Sequence, residues 1–535
     1  MEGSTFDYVI VGAGSAGATL AARLSEDPTV RIALIEAGTH SGGIWSKIPL
    51  GVGKLLNDPS RTWKLLTETD HYSNSVPREW VSGKCLGGSS AVNGLVFVRG
   101  FSQKYDEWGK ICPGWSYEDC LPYFKRLENW NGPKSPLRAS GGPINVNFAE
   151  KTFLCDQFLK ACSELGYDEL EDYNTAKTAG WSYLQLSTKN GLRNGTAEGY
   201  LQAAQSRKNL VVIRGTTAQR IVIQDKRATG IIAKSDVGVQ QINVRREVLL
   251  CAGAVRSPQL LELSGVGNLE YLAKYGIAPV VSNKAVGENL QDHLMVRSCF
   301  YSSSPDTING MVFSAVKLGE EIAKYVFLRR GLLTDASLKA TLYACSSAEK
   351  LIPDLRIQMS LVSAKDRIPD SIREGLDPGS AFQIGVYGLY PSSRGSVHIR
   401  STDSAKPPAV QPMYLSAQED VTALLSGLKL VKRLASTNAL REVIKSEIRP
   451  GSLGLSDDSL LDYARTTGQT CWHPVGTCRM GSDNESVVDT RCRVRGLTGL
   501  RVVDASVFPM LLSSNTNVPT IMLAEKISDD IRYRG

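Results

Sequence analysis

Residues 7–38 read DYVIVGAGSAGATLAARLSEDPTVRIALIEAG, and this stretch decides the fold of the chain around it. A short apolar run, Tyr8 to Val11, leads into a loop with three glycines and then into an alanine- and leucine-rich segment with helical character that ends near Leu24. A second apolar run, Arg31 to Ile35, ends at the acidic residue Glu36. Strand, glycine loop, helix, strand and terminal acid in this order predict a dinucleotide-binding unit.

Each glycine of this loop has its own steric purpose. Gly12 permits the tight turn, Gly14 lets the backbone approach a pyrophosphate, and Gly17 lets the helix lie close to the sheet. The helix begins with Ser15 and Ala16, where free N–H groups and the positive end of the helix dipole favour phosphate oxygens. We therefore expect the loop and the first helical turn to bind the cofactor directly.

Glu36 closes the second strand, at the position where an acidic side chain accepts hydrogen bonds from an adenosine ribose. Its charge would repel a 2′-phosphate, so we expect a cofactor other than NADP. This stretch alone does not decide between the other dinucleotides.

Length and composition are those of a globular protein with more than one folding unit. The chain has 535 residues, of which 42% are hydrophobic and 21% charged. No apolar run is long enough to span a bilayer, and no signal-peptide pattern precedes the first strand, so we expect a cytoplasmic protein. The net charge of +7 is not gathered into a basic stripe, which argues against nucleic-acid binding.

The cysteines predict neither a disulfide framework nor a metal centre. The chain has eleven cysteines, and they are scattered without regular spacing, which is typical of free thiols in a reducing compartment. Cys471, Cys478 and Cys492 lie around His473, but their spacing matches no zinc module, and we predict no metal site.

Two further stretches in the first half of the chain favour a flat, polar ligand. Residues 83–94 read GKCLGGSSAVNG, which brings exposed backbone N–H groups and small polar side chains together between apolar flanks. Val248 to Ala254 reads as a buried parallel strand that runs into a turn of small residues, and a helix is predicted from Arg256. This second strand-to-helix turn returns the chain to the same sheet.

From about Arg297 to Thr466 the pattern changes to strands of alternating polarity, separated by helical segments. Such a pattern predicts an antiparallel sheet with helices, inserted into the nucleotide-binding domain. Near the C-terminus, His473 precedes a proline, and the segment from Ser514 to Thr520 opens a final helix. A lone histidine is more often structural than catalytic, so the residues alone leave the role of His473 open.

Taken together, four motifs make the chain resemble the glucose-methanol-choline (GMC) oxidoreductase family over essentially its whole length. They are the N-terminal glycine loop, residues 83–93 (GKCLGGSSAVN), residues 253–267 (GAVRSPQLLELSGVG), and His473-Pro474 together with Asn515. Residues 287–293 (GENLQDH) also resemble a family stretch. Within the family, the chain looks most similar to the alcohol and hydroxymethylfurfural oxidase-like members.

The resemblance implies FAD as the cofactor and places several residues around it. Besides the N-terminal loop, the residues implied to contact the flavin and its phosphates are Gly88, Ser89, Asn93, Gly94, Val96, Asp504, Ala505 and Thr516. The backbone near Arg220 is implied to contact the adenine. Some members attach FAD covalently through a histidine in the second motif. Val92 stands at that position here, which implies non-covalent FAD.

The resemblance also implies the fold class, α/β, with a Rossmann-like FAD-binding domain that is discontinuous in sequence. We assign residues 1–140, 196–296 and 467–535 to this domain. Residues 141–195 and 297–466 are assigned to an inserted α+β substrate domain with an antiparallel sheet. The oligomeric state is left open.

The implied activity is the oxidation of a primary, aromatic or furanic alcohol to the aldehyde. His473 would take the hydroxyl proton while hydride moves to flavin N5, and Asn515 would hold the oxygen. Molecular oxygen is the expected final acceptor, and a dehydrogenase that uses a quinone-type acceptor is the main alternative. A non-redox lyase that keeps FAD, or a light-driven decarboxylase, is a minor alternative within the family.

Overall fold

The N-terminal unit has the structure that its sequence predicts. A computed structural model describes residues 5–39, 43–176, 178–365, 372–451, 456–512 and 514–534. Its first elements are the strand Thr5–Val11, the helix Ser15–Leu24 and the strand Ile32–Ile35. A Cβ atom on Gly17 would lie 1.9 Å from the carbonyl oxygen of Gly12. Gly17 therefore has the predicted role of letting the helix pack closely against the strand end.

The first strand lies in the middle of a seven-stranded sheet. The order along the sheet is Leu210–Ile213, Ile32–Ile35, Thr5–Val11, Gly238–Leu250, Arg227–Ser235 and Thr217–Gln224, with Leu500–Val502 paired to Gly238–Leu250. The pairings of the first four strands with one another are parallel, as is that of Leu500–Val502, whereas the last two strands run antiparallel to their neighbours. The mainly parallel sheet confirms the predicted α/β class and the return of the chain near Val248.

A second seven-stranded sheet is antiparallel throughout. Its order is Ile444–Arg449, Leu294–Ser302, Ala381–Gly388, Leu355–Ser360, Leu338–Ala344 and Gly180–Tyr183, with Gln469–Thr470 paired to Leu294–Ser302. The helix Gln418–Ala435 packs against its central strands. All six residues of the Leu355–Ser360 strand are buried, because the sheet is covered on both faces.

The strands of the two sheets do not end where the predicted domain boundaries lie. The strand Leu294–Ser302 belongs to the second sheet as a whole and crosses the predicted boundary between residues 296 and 297. The strand Gln469–Thr470 also joins the second sheet, although we assigned it to the FAD-binding domain. The division into two domains stays a prediction.

The remaining helices connect and cover the sheets. The α-helices are Ile44–Lys47, Val52–Leu55, Ser102–Ile111, Tyr117–Leu127, Phe153–Glu164, Gln202–Ala204, Gly253–Leu263, Leu269–Lys274, Ile308–Val312, Ala315–Ala323, Ile372–Gly375, Gln418–Ala435, Asn438–Arg441, Asp457–Thr467 and Asn517–Arg534. Shorter 3₁₀ and π turns lie at Pro49–Gly51, His71–Ser73, Gly88–Ala91, Ala197–Leu201, Lys324–Leu328, Leu332–Thr334 and Ala505–Val507. Among the helices of the described ranges, none is long and apolar enough to cross a membrane.

Small two- and three-stranded ribbons complete the structure. Their strands are Thr62–Leu66, Glu79–Gly83, Glu128–Trp130, Ile144–Phe148, Gln185–Leu186, Thr188–Lys189, Leu192–Arg193, Val266–Gly267, Val281–Ser282, Ser396–His398 and Ala409–Gln411. None of the eleven cysteines, all of which lie in the described ranges, forms a disulfide, and ten of them are buried.

Candidate active site

A large cavity lies between the two sheets and has a volume of about 1170 Å³. Its walls include Val11 and Ile35 at the carboxyl ends of two parallel strands of the first sheet. From the second sheet they include Met295, Gln358 and Gln383. The cavity is therefore placed at the end of a parallel sheet where α/β proteins bind their ligands.

Three glycines bring bare backbone to the wall of this cavity. Gly12 has φ of +101°, a conformation that favours glycine. A Cβ on Gly88 would lie 2.6 Å from Cα of Gly14, so the first and second glycine motifs touch each other. The helix Ser15–Leu24 has no side-chain cap at Gly14, which leaves its first N–H groups available to an anion.

Glu36 fixes the glycine loop to the second strand. Its Oε2 accepts from the backbone N–H of Ala13 at 3.0 Å, and its Oε1 accepts from that of Gly38 at 2.9 Å. Burial raises the pKa of Glu36 to about 7, although both backbone hydrogen bonds and Lys84 oppose this shift. Each carboxylate oxygen keeps a second lone pair, and Glu36 lines the cavity, so a ribose can still bind to it.

Most of the cofactor residues expected from the sequence line this one cavity. They are Gly12, Gly14, Ser15, Ala16, Glu36, Gly88, Ser89, Asn93, Gly94, Val96, Asp504, Ala505 and Thr516. Gly17 lies behind the wall, packed on Gly12. Arg220 is exposed on its strand and does not line the cavity, whereas Thr216, Thr217 and Ala218, two to four residues earlier, do.

Asp504 has a structural task in addition to its place in the wall. Its Oδ2 accepts from the backbone N–H of Gly253 at 2.8 Å and from Oγ of Ser257 at 2.5 Å. Its Oδ1 accepts from the N–H of Ser506 at 2.9 Å. Burial raises the pKa of Asp504. The carboxyl thus holds the turn of small residues after the Gly238–Leu250 strand against the C-terminal part of the chain.

His473, which also lines the cavity, faces His293, a residue for which no role was predicted from the sequence. The Nδ1 atoms of the two rings are 3.0 Å apart, and Nε2 of His293 lies 2.9 Å from the carbonyl oxygen of Leu389. A carbonyl only accepts, so Nε2 of His293 carries a hydrogen. Burial, together with the charge of Arg356, lowers the pKa of His293 to about 4, and its Nδ1 is therefore a bare acceptor.

The bare Nδ1 of His293 determines the tautomer of His473. For a hydrogen bond to exist between the two rings, His473 must donate from its own Nδ1. A neutral His473 then has no hydrogen on Nε2. This bare nitrogen lies 3.0 Å from Nδ2 of Asn515, whose amide donates to it. The chain from Leu389 through both histidines thus leaves a basic nitrogen at the cavity.

Arg356 fixes the orientation of Asn515. Its Nη1 donates to Oδ1 of Asn515 at 2.7 Å, to Oγ of Ser514 at 2.6 Å and to the hydroxyl of Tyr387 at 3.2 Å. A guanidinium has no acceptor atom, so the amide oxygen faces Arg356 and the amide NH₂ faces His473. Arg356 is fully buried. Asn515 bridges its positive charge and the ring of His473.

Asp292 holds the backbone of His473 in place. Its Oδ1 accepts from the N–H of His473 at 2.7 Å, and its Oδ2 accepts from the hydroxyls of Thr470, at 2.5 Å, and Tyr414. Burial raises the pKa of Asp292 to about 6, although all of these hydrogen bonds oppose the shift. The preceding Trp472 has φ of +58°, which is rare for a bulky residue and is maintained by the surrounding contacts.

The sequence contained a signal for two of the missed residues. Asp292 and His293 end the stretch 287–293 (GENLQDH), which resembles a stretch found in the family. No role was predicted for either residue from this resemblance. Arg356 had no signal beyond its place in a strand of alternating polarity.

The cavity suits a flavin dinucleotide. The uncapped N–H groups of the helix Ser15–Leu24 and the touching backbones of Gly14 and Gly88 suit a pyrophosphate. The carboxylate of Glu36 can accept a hydrogen bond from a ribose. The same cavity is lined by the small residues of the second motif and by His473 and Asn515. Val92 also lines the cavity and has no atom that could bond covalently to a flavin.

Comparison with known proteins decides the family. Residues 6–295 and 391–524 match the two parts of the family described as GMC oxidoreductase. The chain belongs to the GMC oxidoreductase family. An oxygen-dependent choline dehydrogenase of Vibrio vulnificus is 35% identical to it over 540 residues, which cover 99% of this chain and 94% of that protein. An alcohol dehydrogenase [acceptor] of Pseudomonas putida is 35% identical over 532 residues, which cover 98% and 95%.

Among solved structures, this GMC oxidoreductase is similar to pyridoxine 4-oxidase from Mesorbium loti. The TM-score is 0.88 with 26% identical residues, and the match covers 99% of each chain. GMC oxidoreductases bind FAD and oxidise alcohols, so the family, the cofactor and the class of reaction that the sequence predicted are confirmed.

Proposed function

We propose that this GMC oxidoreductase oxidises an uncharged primary alcohol to the aldehyde, with His473 as the base that removes the hydroxyl proton. One observation carries the proposal: the hydrogen-bond chain from Leu389 through His293 leaves Nε2 of His473 bare and directed at Asn515 beside the cofactor cavity. A neutral imidazole nitrogen in this position is suited to accept a proton near neutral pH.

The residues divide the work of alcohol activation between them. Nε2 of His473 takes the hydroxyl proton, and the NH₂ group of Asn515, which has a second hydrogen, donates to the oxygen as it becomes an alkoxide. Arg356 contributes through Asn515, because its buried positive charge favours an anion at that place. Bound FAD supplies the acceptor for the hydride that leaves the carbinol carbon.

The lining of the cavity supports an uncharged, largely apolar alcohol. The residues that approach it from the lobe around the second sheet include Ile308, Met311, Val312, Leu338, Val362 and Tyr387. Such walls favour alkyl, aromatic or furanic groups over a polyol, whose hydroxyls would lose hydrogen bonds to water.

Molecular oxygen is the proposed final acceptor. The names of two similar proteins, an oxygen-dependent choline dehydrogenase and a pyridoxine 4-oxidase, support this choice. The name of the alcohol dehydrogenase [acceptor] supports a different acceptor. Stoichiometric oxygen uptake with peroxide formation during alcohol turnover would support oxygen. Turnover that needs an added quinone would overturn that part of the proposal.

The base role is tested by anaerobic flavin reduction in a stopped-flow spectrophotometer. His473→Ala should fold and keep its yellow cofactor but reduce the flavin roughly 10²–10⁴-fold more slowly, because the hydroxyl proton has no acceptor. His71→Ala, a change at an exposed histidine, is the matched control and should reduce at the wild-type rate. Near-normal reduction in His473→Ala would exclude His473 as the base. Absence of reduction by any alcohol in the wild type would favour the non-redox alternatives.

A further inference from the structure

Two residues that line the cavity each have a buried polar atom without a partner in the described part of the chain. These atoms are Oγ of Ser360 and Oε1 of Gln383, and their residues are 1% and 8% exposed. Both residues line the cavity that also contains His473 and Asn515. A buried polar atom without a hydrogen bond is costly, and such atoms at a cavity wall indicate a polar group of the ligand.

These two residues form a directly opposed pair on neighbouring strands. Ser360 on the strand Leu355–Ser360 is paired with Gln383 on the strand Ala381–Gly388. Their side chains therefore project from the same face of the sheet, close enough to bind one atom together.

The same face of the sheet leads from this pair to the proposed catalytic residues. Side chains two residues apart point to one face, so Ser360, Gln358 and Arg356 form a row, and each is paired in turn with Gln383, Gly385 and Tyr387. Arg356 holds Asn515. The four-residue step from Arg356 to Ser360 spans about 13 Å along the strand.

We propose that Ser360 and Gln383 form a subsite for a second hydroxyl group of the alcohol, at the end remote from the reacting carbon. A hydroxyl donates and accepts at once, so it satisfies both atoms: it donates to Oε1 of Gln383 and accepts from the hydroxyl of Ser360. The inference rests on the proposed function for the reacting end. The substrate class is a diol whose hydroxyls lie on the order of 10 Å apart, given the spacing along the strand.

Apolar walls lie between the two polar ends. Gly385, in the middle row, has no side chain, and the thioether of Met295 occupies the space above it: Sδ lies 2.7 Å from where a Cβ on Gly385 would be. Gln358 in the same row already has a partner, because its Nε2 donates to that sulfur. An alkyl or aromatic spacer between the two hydroxyls therefore meets a middle section formed by the thioether of Met295 and by Gln358, whose amide NH₂ already donates to that sulfur.

The test compares the steady-state KM values of linear α,ω-diols of four to ten carbons with those of the 1-alkanols of the same length, and anaerobic flavin reduction of the holoenzyme checks that each alcohol is a substrate. In the wild type, a diol of intermediate length should have a KM about 10-fold below that of its alkanol, because its second hydroxyl gives both polar atoms the partner that they lack and the alkanol's methyl end does not. The advantage should be small for the shortest diols, which do not reach the pair.

Ser360→Ala with Gln383→Met removes both polar atoms at similar volume and should bring the ratio of the two KM values close to one. Ser298→Ala changes a buried serine outside the cavity wall and should keep the wild-type ratio. If the double variant loses its cofactor, Ser360→Ala alone is the test. It should reduce the logarithm of the ratio of the alkanol KM to the diol KM by about half.

Equal KM values for diols and alkanols in the wild type, or an unchanged ratio in the variants, would overturn the subsite while alcohol oxidation stands. If no alcohol of either series reduces the flavin, the proposed function fails, and the subsite fails with it.

Discussion

At the scale of single residues, His293 acts on the proposed base without touching the substrate. Its bare Nδ1 selects the tautomer of His473 in which Nε2 carries no hydrogen and accepts from the amide of Asn515. His293→Leu removes this acceptor and should slow anaerobic flavin reduction roughly 10–100-fold, because the wrong tautomer becomes accessible. His293→Asn retains an acceptor oxygen and should recover part of the rate. Equal rates in the two variants would show that the hydrogen bond does not set the tautomer.

The same residue should make the fold sensitive to acid. The pKa of His293 is lowered to about 4 by burial, whereas an unfolded histidine titrates near 6.5. As the pH falls from about 6.5 to about 4, the unfolded chain binds a proton that the folded chain does not, so stability falls by up to about 1.4 kcal/mol per pH unit. Glu36 and Asp292 have raised pKa values, about 7 and 6, and contribute with the opposite sign.

Comparing the wild type with His293→Asn isolates the contribution of His293 to the pH dependence of stability, because both proteins contain Glu36 and Asp292. The melting temperature of the wild type should fall relative to that of His293→Asn as the pH is lowered from 7 to 4.5. A constant difference over this range would show that His293 does not resist protonation in the fold.

At the scale of elements, Glu525 joins three parts of the chain to the C-terminal helix Asn517–Arg534. Its carboxylate is fully buried, and it accepts from Arg23 at 2.8 Å and from the hydroxyl of Tyr200 at 2.6 Å, with Arg126 at 2.7 Å. Arg23 belongs to the helix that begins at the glycine loop. This contact therefore fixes the first helix of the chain against the last.

Glu525→Ala should lower the free energy of unfolding by about 2–4 kcal/mol, because it removes the buried carboxylate that two guanidinium groups and a phenol share. The guanidinium groups are partly exposed, so the loss should be smaller than for a fully buried pair. Asp529→Ala is the control: it removes another partner of Arg126 on the same helix, but a more exposed one, and should change stability by about 1 kcal/mol or less. Similar losses in urea denaturation of both variants would contradict this account.

Elements with strong local signals were predictable, and contacts between distant segments were not. The first strand, loop and helix follow from the glycines and the apolar periods. The helices Ser102–Ile111 and Tyr117–Leu127 are separated by a turn in which Gly114 has φ of +89°, and Ser116 caps the second helix. The turn at Gly114 needs a conformation that periodicity does not report.

The site shows the same limit. His473 and Asn515 belong to motifs and were named from the sequence, whereas Arg356 lies 159 residues from Asn515 along the chain. Alternating polarity in a strand predicts one buried face, but both faces of the Leu355–Ser360 strand are buried. The pattern therefore could not show that this arginine is buried, nor what its guanidinium contacts.

At the scale of the whole molecule, the cofactor cavity brings together segments from both ends of the chain. The loop at residues 12–16 meets Asp504 and Ala505 on the same wall, and Oγ of Ser15 donates to Oδ1 of Asn517 at 2.6 Å. The interior of the second sheet, such as the strand Leu338–Ala344, is buried among its neighbouring strands. Removal of FAD should therefore affect the two ends of the chain more than the centre of this sheet.

Hydrogen exchange measured by mass spectrometry on holoenzyme and apoenzyme tests this expectation. The apoenzyme should be obtainable by mild denaturation, because Val92 offers no covalent attachment, and FAD at about 100 times its Kd should add about 2.7 kcal/mol of stability. Loss of FAD should speed exchange at residues 11–16, 504–505 and 515–517, where the chain lines the cavity, and should leave residues 338–344 protected. Flavin that stays on the denatured chain would contradict non-covalent binding. A uniform loss of protection would show that the second sheet also depends on the cofactor.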